Sequence, residues 1–374
     1  MRRVEKTAGQ RLRDVVNVPL LVITIGLVVY GSVMVFSATS GMTGGAGLFK
    51  RHLVGVVVGL VPMVAAWALD YKKLKHWTGP LLVLMAFLLI SPRIPGLGDT
   101  ARGATSWLKI AGVRLFQPSE PAKLVLIVIM AALVAEYSGR IDKPKDALRV
   151  LAYLATALVL IMLQPDLGTG LVFIAITVAM LLIGGMKGRY FAVLALVGVI
   201  GVGAVLGLHL LKGYQEDRLL VFVDPTRDPK GAGYNLAQAK IAIGSGGISG
   251  TGLGSGTQSN LHFLPERHTD FIFAVLGEEL GFTGAILLLG LYLALLVAAL
   301  AIAASSRDLY GALIVAGVIG MWTFQILENI GMSLGMMPIT GIPLPFMSFG
   351  SSAMVTNLGG VGLLLSVWSR RYGT

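Results

Sequence analysis

The chain has no cysteine. Disulfide staples and thiolate chemistry are therefore excluded, and cysteine usage carries no signal of compartment. Charge is also scarce: Asp, Glu, Lys and Arg make up 13% of the residues against 55% hydrophobic ones. With a mean hydropathy of +0.80, that balance excludes an ordinary soluble domain. Acidic residues are the scarcer kind, 19 against 30 basic, for a net charge of +11. In a chain this apolar, such an excess serves topology and anionic lipid headgroups, and no nucleic-acid partner is expected. The five histidines lack metal-ligand spacing. The glycine-rich stretch 244–256 follows no strand pattern, so it is not a dinucleotide site. A hydrolase triad, an internal repeat and a soluble accessory domain are likewise absent from the pattern.

Long apolar runs are abundant. About 20 apolar residues cross a bilayer core, and ten stretches qualify: roughly 18–38, 52–69, 76–91, 120–138, 147–163, 168–185, 190–212, 271–303, 310–336 and 350–369. The basic segment Met1–Asn17 leads into a full-length run without a small-residue cleavage site, so 18–38 is read as a retained first helix. An even number of spans puts both termini on one side. The segments on that side carry Arg2, Arg3, Lys6, Arg11, Arg13, Lys72, Lys73, Lys75, Lys143, Lys145, Arg370 and Arg371, which makes it cytoplasmic. The expectation is an all-α polytopic membrane protein of about ten transmembrane helices, a single integral domain over 1–374. It has a cytoplasmic N-terminal tail (1–17) and one large extracytoplasmic loop (213–270) between helices seven and eight. A loop of that length is usually functional. Within it Asn235–Ile243 reads as helical, with Gly244-Ser245-Gly246-Gly247 ending the helix.

The ionisable residues concentrate at the far end of that loop, in Glu266-Arg267-His268-Thr269-Asp270, just before an apolar helix. Charge beside lipid is costly and marks a pathway or a reacting centre. Asp270 would be partly desolvated near a helix N-terminus, as suits a general base for a hydroxyl; the plainer reading is a helix N-cap. In Gln117-Pro118-Ser119-Glu120-Pro121-Ala122-Lys123, a helix starts near Ser119. Glu120 and Lys123 share a face, either as a local ion pair or with Lys123 turned to an anionic ligand, or to Glu278 or Glu279. Asp166 reads as a turn cap. The stretch 336–352 interrupts the helix pattern at membrane depth, where irregular backbone must be buried in protein or line a cavity. Gln325, Glu328 and Asn329 make such a cavity polar.

The blocks RGATSW (102–107), QPSEPAK (117–123), QPDLGTG (164–170), YNLAQAKIAIGSGG (234–247), LPERHTDFIFAVLGEELGF (264–282) and NIGMSLGMMPITGIPLPFMSFGSS (329–352) occur in this order over nearly the whole chain. Together they resemble the SEDS family, the shape, elongation, division and sporulation proteins that build bacterial cell wall. The PERHTDF wording and short tail are nearer its elongation member than its division member. The resemblance implies a ten-helix peptidoglycan glycosyltransferase of the bacterial cytoplasmic (inner) membrane, surrounded by membrane lipids and facing outward. Its substrate would be lipid II, a disaccharide-pentapeptide on undecaprenyl pyrophosphate, and its partner a class B penicillin-binding protein. The essential loop aspartate falls on Asp270. The loop tryptophan falls on Trp107 with Arg102 beside it, and polar cavity residues fall on Glu120, Lys123 and Glu266. His268 joins them as a substrate-binding candidate. Glu278 and Glu279 are present without an implied role. Asp270 would be the base for the GlcNAc 4-hydroxyl; Arg102 and Lys123 would stabilise the pyrophosphate, with a divalent cation (Mg or Mn) whose ligands are unassigned. The alternatives are a lipid II flippase, or a non-catalytic scaffold for the penicillin-binding protein.

Overall fold

The computed structural model describes residues 15–101, 104–110, 113–137, 140–164, 166–207, 221, 222, 224, 228, 231–261 and 263–372. It is mostly helical. The elements are α1 (Val18–Ser40), α2 (Gly45–Ala68), the short α3 (Tyr71–Leu74), α4 (Thr78–Ile90), strands β1 (Gly98–Ala101), β2 (Ala104–Ile110) and β3 (Val113–Phe116), then α5 (Ser119–Ala135), α6 (Pro144–Met162), α7 (Leu167–Ile183), α8 (Gly188–Gly207), α9 (Ala232–Gly246), α10 (Thr257–Asn260), α11 (Ile272–Ala304), α12 (Leu309–Leu334) and α13 (Ser351–Ser369). Each of the ten apolar stretches is helical. Six spans (α1, α2, Tyr71–Arg93, α11, α12 and α13) are long and apolar enough to cross a membrane, and α7 is a shorter apolar helix.

Short polar side chains set several helix starts. Asn17 accepts from Leu20 N–H at 3.0 Å, Asp166 from Thr169 N–H at 3.0 Å and Asp308 from Gly311 N–H at 2.8 Å, each satisfying a donor that the first turn leaves open. Asp166 is thus the cap its sequence position implied. α12 and α13 form the enclosed centre: α13 lies along α2, α12 along α5 and α7, and α11 along α1 and α12. Small residues permit the closest of these approaches. A Cβ on Gly362 would lie 2.2 Å from the Met63 carbonyl oxygen, so α2 and α13 pack backbone to backbone.

Two features depart from the all-α expectation. Residues 98–116 form a three-stranded antiparallel sheet in the order β1-β2-β3, with Trp107 opposite Asp99 and Leu108 opposite Phe116. β-Branched and aromatic residues between glycine-bearing pairs favour strands over a short apolar helix. The loop helix, α9, also extends three residues at each end beyond Asn235–Ile243.

The second departure lies in α11, which reads as one apolar run but is broken at Gly281 (φ 62). A helix break strands backbone groups that need partners in a water-poor interior. Here the loop after α9 supplies all four: Thr251 and Gly252 N–H donate to the Glu278 and Glu279 carbonyls, both at 3.0 Å, while Phe282 and Thr283 N–H donate to the Gly247 and Ile248 carbonyls at 2.9 and 3.0 Å. α12 in turn ends at Gly335 (φ 74). Residues 336–350 then run without helix, yet Leu344, Phe346, Met347 and Ser348 are buried and Tyr292 Oη donates to the Pro345 carbonyl at 2.7 Å. This is the irregular but protein-enclosed segment the sequence implied.

The glycine-filled break yields a differential prediction. A Cβ at Gly281 would meet Gly250 N at 2.4 Å, whereas a Cβ at Gly290, on the same helix, meets nothing within 4 Å. Gly281→Ala should lower stability by about 1–3 kcal/mol. Gly290→Ala should leave it unchanged or raise it by up to about 1 kcal/mol. Thermal denaturation of the two purified variants checks the contrast.

Candidate active site

The turn 264–271 is fastened through its own backbone. The Glu266 carbonyl accepts from the N–H groups of Thr269, Asp270 and Phe271 at 3.2, 3.1 and 3.2 Å, and Thr269 Oγ1 donates to Glu266 Oε2 at 3.0 Å. The next three carbonyls are each held by a different donor from the far end of the sequence. His268 O accepts from Phe349 N–H at 2.9 Å, Thr269 O from Ser348 Oγ at 2.7 Å, and Asp270 O from Asn329 Nδ2 at 2.9 Å. Asn329 Nδ2 donates also to Ile342 O at 2.8 Å, so one buried amide ties the turn to the irregular segment. The half-buried Asp270 therefore sits on a backbone held in place on both sides. The cap of α11 falls on Phe271, which makes no side-chain cap bond, so the N-cap reading of Asp270 is set aside.

Arg267 anchors the turn laterally. Its Nε donates to the Ala38 carbonyl at the end of α1 at 2.7 Å. Burial pulls the guanidinium below its ordinary value, while the Glu279 and Glu278 carboxylates oppose that pull. Glu279 takes two hydrogen bonds from Ser37 Oγ, at 2.8 and 2.6 Å. Glu278 Oε1 accepts from Gln258 N–H at 2.7 Å. These two glutamates thus bind α1, the glycine loop and α11 together.

Lys123 takes a different partner from the Glu278 or Glu279 proposed on sequence grounds. Its ammonium meets Glu120 Oε1 at 2.6 Å, with both side chains almost fully buried. A carboxylate three residues back on the same helix is closer than one across the bundle, and an unpaired buried ammonium would be costly. The pair is placed near the irregular segment, because Gln117 N–H, just ahead of α5, donates to Ser352 Oγ of α13 at 2.9 Å. On the other side of that segment, Thr340 Oγ1 donates to Glu328 of α12.

Glu266, His268 and Asp270 therefore share one clamped turn. His268 packs its ring 5.3 Å from Phe349. Glu120 and Lys123 sit together at the start of α5, and Trp107 belongs to the sheet, in β2, and not to the turn. Arg102 lies outside the described residues. Sequence reasoning missed the clamping roles of Asn329 and Ser348; the available signal was a wholly buried Asn on an apolar helix, which needs partners. Among the described residues no group of three or more His, Asp or Glu gathers that would hold a metal.

Asn329→Ala would leave the Asp270 and Ile342 carbonyls without that donor. It should cost about 1–3 kcal/mol and speed amide exchange over 268–273 relative to α13, as hydrogen-exchange mass spectrometry would show.

Comparison with known proteins places this geometry. The family model described as a cell cycle protein, FtsW/RodA/SpoVE, matches residues 13–372. The chain is 37% identical to a probable peptidoglycan glycosyltransferase FtsW of Trichlorobacter lovleyi, over 93% of this chain and 92% of that one. It is also 37% identical to the peptidoglycan glycosyltransferase MrdB of Escherichia coli K12, over 94% and 93%. A solved chain from a peptidoglycan synthase complex that coordinates polymerization and crosslinking superposes with a TM-score of 0.79 at 31% identity, covering 95% of this chain and 98% of that one. With the match running from before the first helix to beyond the last, the chain belongs to the FtsW/RodA/SpoVE family, the SEDS proteins, and is a multi-pass membrane protein.

Proposed function

We propose that the chain is a peptidoglycan glycosyltransferase that polymerises lipid II, with Asp270 as general base. Relatives bearing that enzyme name at 37% identity support the activity. The observation that carries the assignment to Asp270 is the clamp: three successive carbonyls, His268, Thr269 and Asp270, are each held from a separate element. A base held in place keeps the short, aligned approach to a hydroxyl that proton transfer needs.

In the proposed step Asp270 takes the proton of the GlcNAc 4-hydroxyl on one lipid-linked unit. That oxygen bonds to the anomeric carbon of a second unit as its bond to undecaprenyl pyrophosphate breaks, and the α-linked donor becomes a β-linked product. Arg102 would neutralise the departing pyrophosphate. Lys123 could do so by exchanging Glu120 for it. Glu266 and His268 would contact substrate from the turn, and Trp107 would pack on a sugar or on the lipid boundary. A Mg or Mn ion would depend on ligands from the pyrophosphate itself, and no step is routed through one.

The same reading takes the protein as ten-spanning, with cytoplasmic termini and the 213–270 loop outside. Asp308 starts α12 beside Lys72 (3.9 Å), and Arg370 lies 3.6 Å from Asp70, which gathers basic residues at that end. Asn329 and the Asp270 turn lie some 20 residues further along α12, about 30 Å away, the thickness of a hydrocarbon core. The family's synthase complex supports a class B penicillin-binding protein as partner. The PERHTDF wording supports a role in elongation and rod shape; depletion should then round the cells, and filamentation would point to division instead.

A flippase would also use broken helices. Here, however, the groups freed at Gly281 are paired by the protein's own loop, which leaves that break no coordination to offer cargo. Purified wild type and Asp270→Asn, with and without the partner, should differ by about 100-fold or more in lipid II polymerisation. Equal rates would remove Asp270 from the chemistry. Strands from neither, with lipid II scrambling intact in proteoliposomes, would favour the flippase.

A further inference from the structure

Glu328 is the one charged residue of α12. It is almost fully buried. Thr340 hydrogen-bonds one of its oxygens; the other, Oε2, is buried without a hydrogen-bond partner. A buried carboxylate with an open oxygen is costly and calls for an explanation beyond packing. Its position offers one. Asn329, the next residue, holds the Asp270 carbonyl, and the Asp270 carboxylate is close enough for the two charges to repel.

The other charged groups on the elements around α12 are largely engaged elsewhere. Glu120 and Lys123 of α5 pair with each other, and Asp166 caps α7. Glu278 and Glu279 of α11 are held by Gln258 and Ser37. Arg267 is bonded to Ala38, while Glu266 and His268 share the turn itself. Lys240 of α9 lies over Gly335, at the C-terminus of α12, where a cation is favoured by the helix dipole. That is about 10 Å along the helix from Glu328.

We infer that Glu328 is a positioning residue for the glycosyl transfer proposed above: its charge, set against the turn by Thr340, keeps Asp270 a stronger proton acceptor than a loop aspartate standing alone. The inference rests on Asp270 acting as base. A like charge nearby disfavours the ionised form and raises an aspartate's proton affinity, the direction a base needs if it is to take a proton from a hydroxyl. Removing that charge lowers the affinity, so the acidic limb of the rate profile moves to lower pH. Glu328→Gln keeps an acceptor for Thr340 and removes the charge, whereas Glu328→Asp keeps the charge.

The test uses the full-length purified protein and two readouts. In lipid II polymerisation, Glu328→Gln should shift the acidic limb of kcat/KM down by about one pH unit. It should lower the plateau kcat several-fold with KM unchanged, and Glu328→Asp should restore the wild-type limb. In an infrared titration, the protonated-carboxyl band that disappears in Asp270→Asn reports Asp270 directly, without turnover. Its midpoint should fall in Glu328→Gln by the same interval. Coincident limbs and midpoints in wild type and Glu328→Gln would overturn the inference, as would a loss of thermal stability in Glu328→Gln with no shift in either. The two readings fail separately. A shifted infrared midpoint in a protein that forms no glycan keeps the coupling and discards the glycosyltransferase reading; active polymerisation with an unshifted midpoint does the reverse.

Discussion

Where water is excluded, every backbone N–H and carbonyl must find a partner inside the protein, and that requirement organises this molecule. An unbroken helix meets it internally. This one breaks α11 at Gly281 and replaces helix with irregular backbone over 336–350, and each break frees groups that only another segment can satisfy. The glycine loop after α9 answers the first. Asn329, Ser348 and Phe349 answer the carbonyls of the Asp270 turn. The position of the candidate base is thus a consequence of how the interior completes its hydrogen bonds.

The buried carboxylates are handled unequally. Glu120 has an ammonium at 2.6 Å, Glu279 a hydroxyl and a nearby guanidinium, Glu278 a backbone amide, and Glu328 one threonine. The first three join pieces of structure, and their replacement by apolar residues would loosen identifiable contacts. Glu328 joins comparatively little for the desolvation it bears, and it is the one set against Asp270. Net stability cannot account for such a placement, since a buried charge with incomplete partners costs more than an apolar side chain of the same size.

Much of this was legible in the sequence, and what was not has physical reasons. The ten apolar runs declared helices because their length exceeds anything a soluble core needs. Asp166 declared a cap, and Glu120 with Lys123 a shared face, because both are short-range patterns. The break at Gly281 was hidden: apolar composition continues across it, and one glycine among 49 gives no sign that its φ is positive. The sheet over 98–116 escaped because its strands are short and the surrounding pattern is helical. The clamp on the turn joins residues 59 and 79 positions apart, and no local pattern encodes such pairings. Asp270 itself stood out only through the ionisable residues crowding its turn.

The loop sewn into the α11 break constrains how this protein can vary. Gly247 and Ile248 accept from one side of the break, and Thr251 and Gly252 donate to the other, so just two residues separate the acceptor pair from the donor pair. An inserted or deleted residue there would throw one pair out of register and strand two backbone groups in the interior. Length changes between α8 and α11 should therefore accumulate ahead of α9, and homologous chains with quite different loop sizes should still keep the same spacing from Gly246 to Gly252.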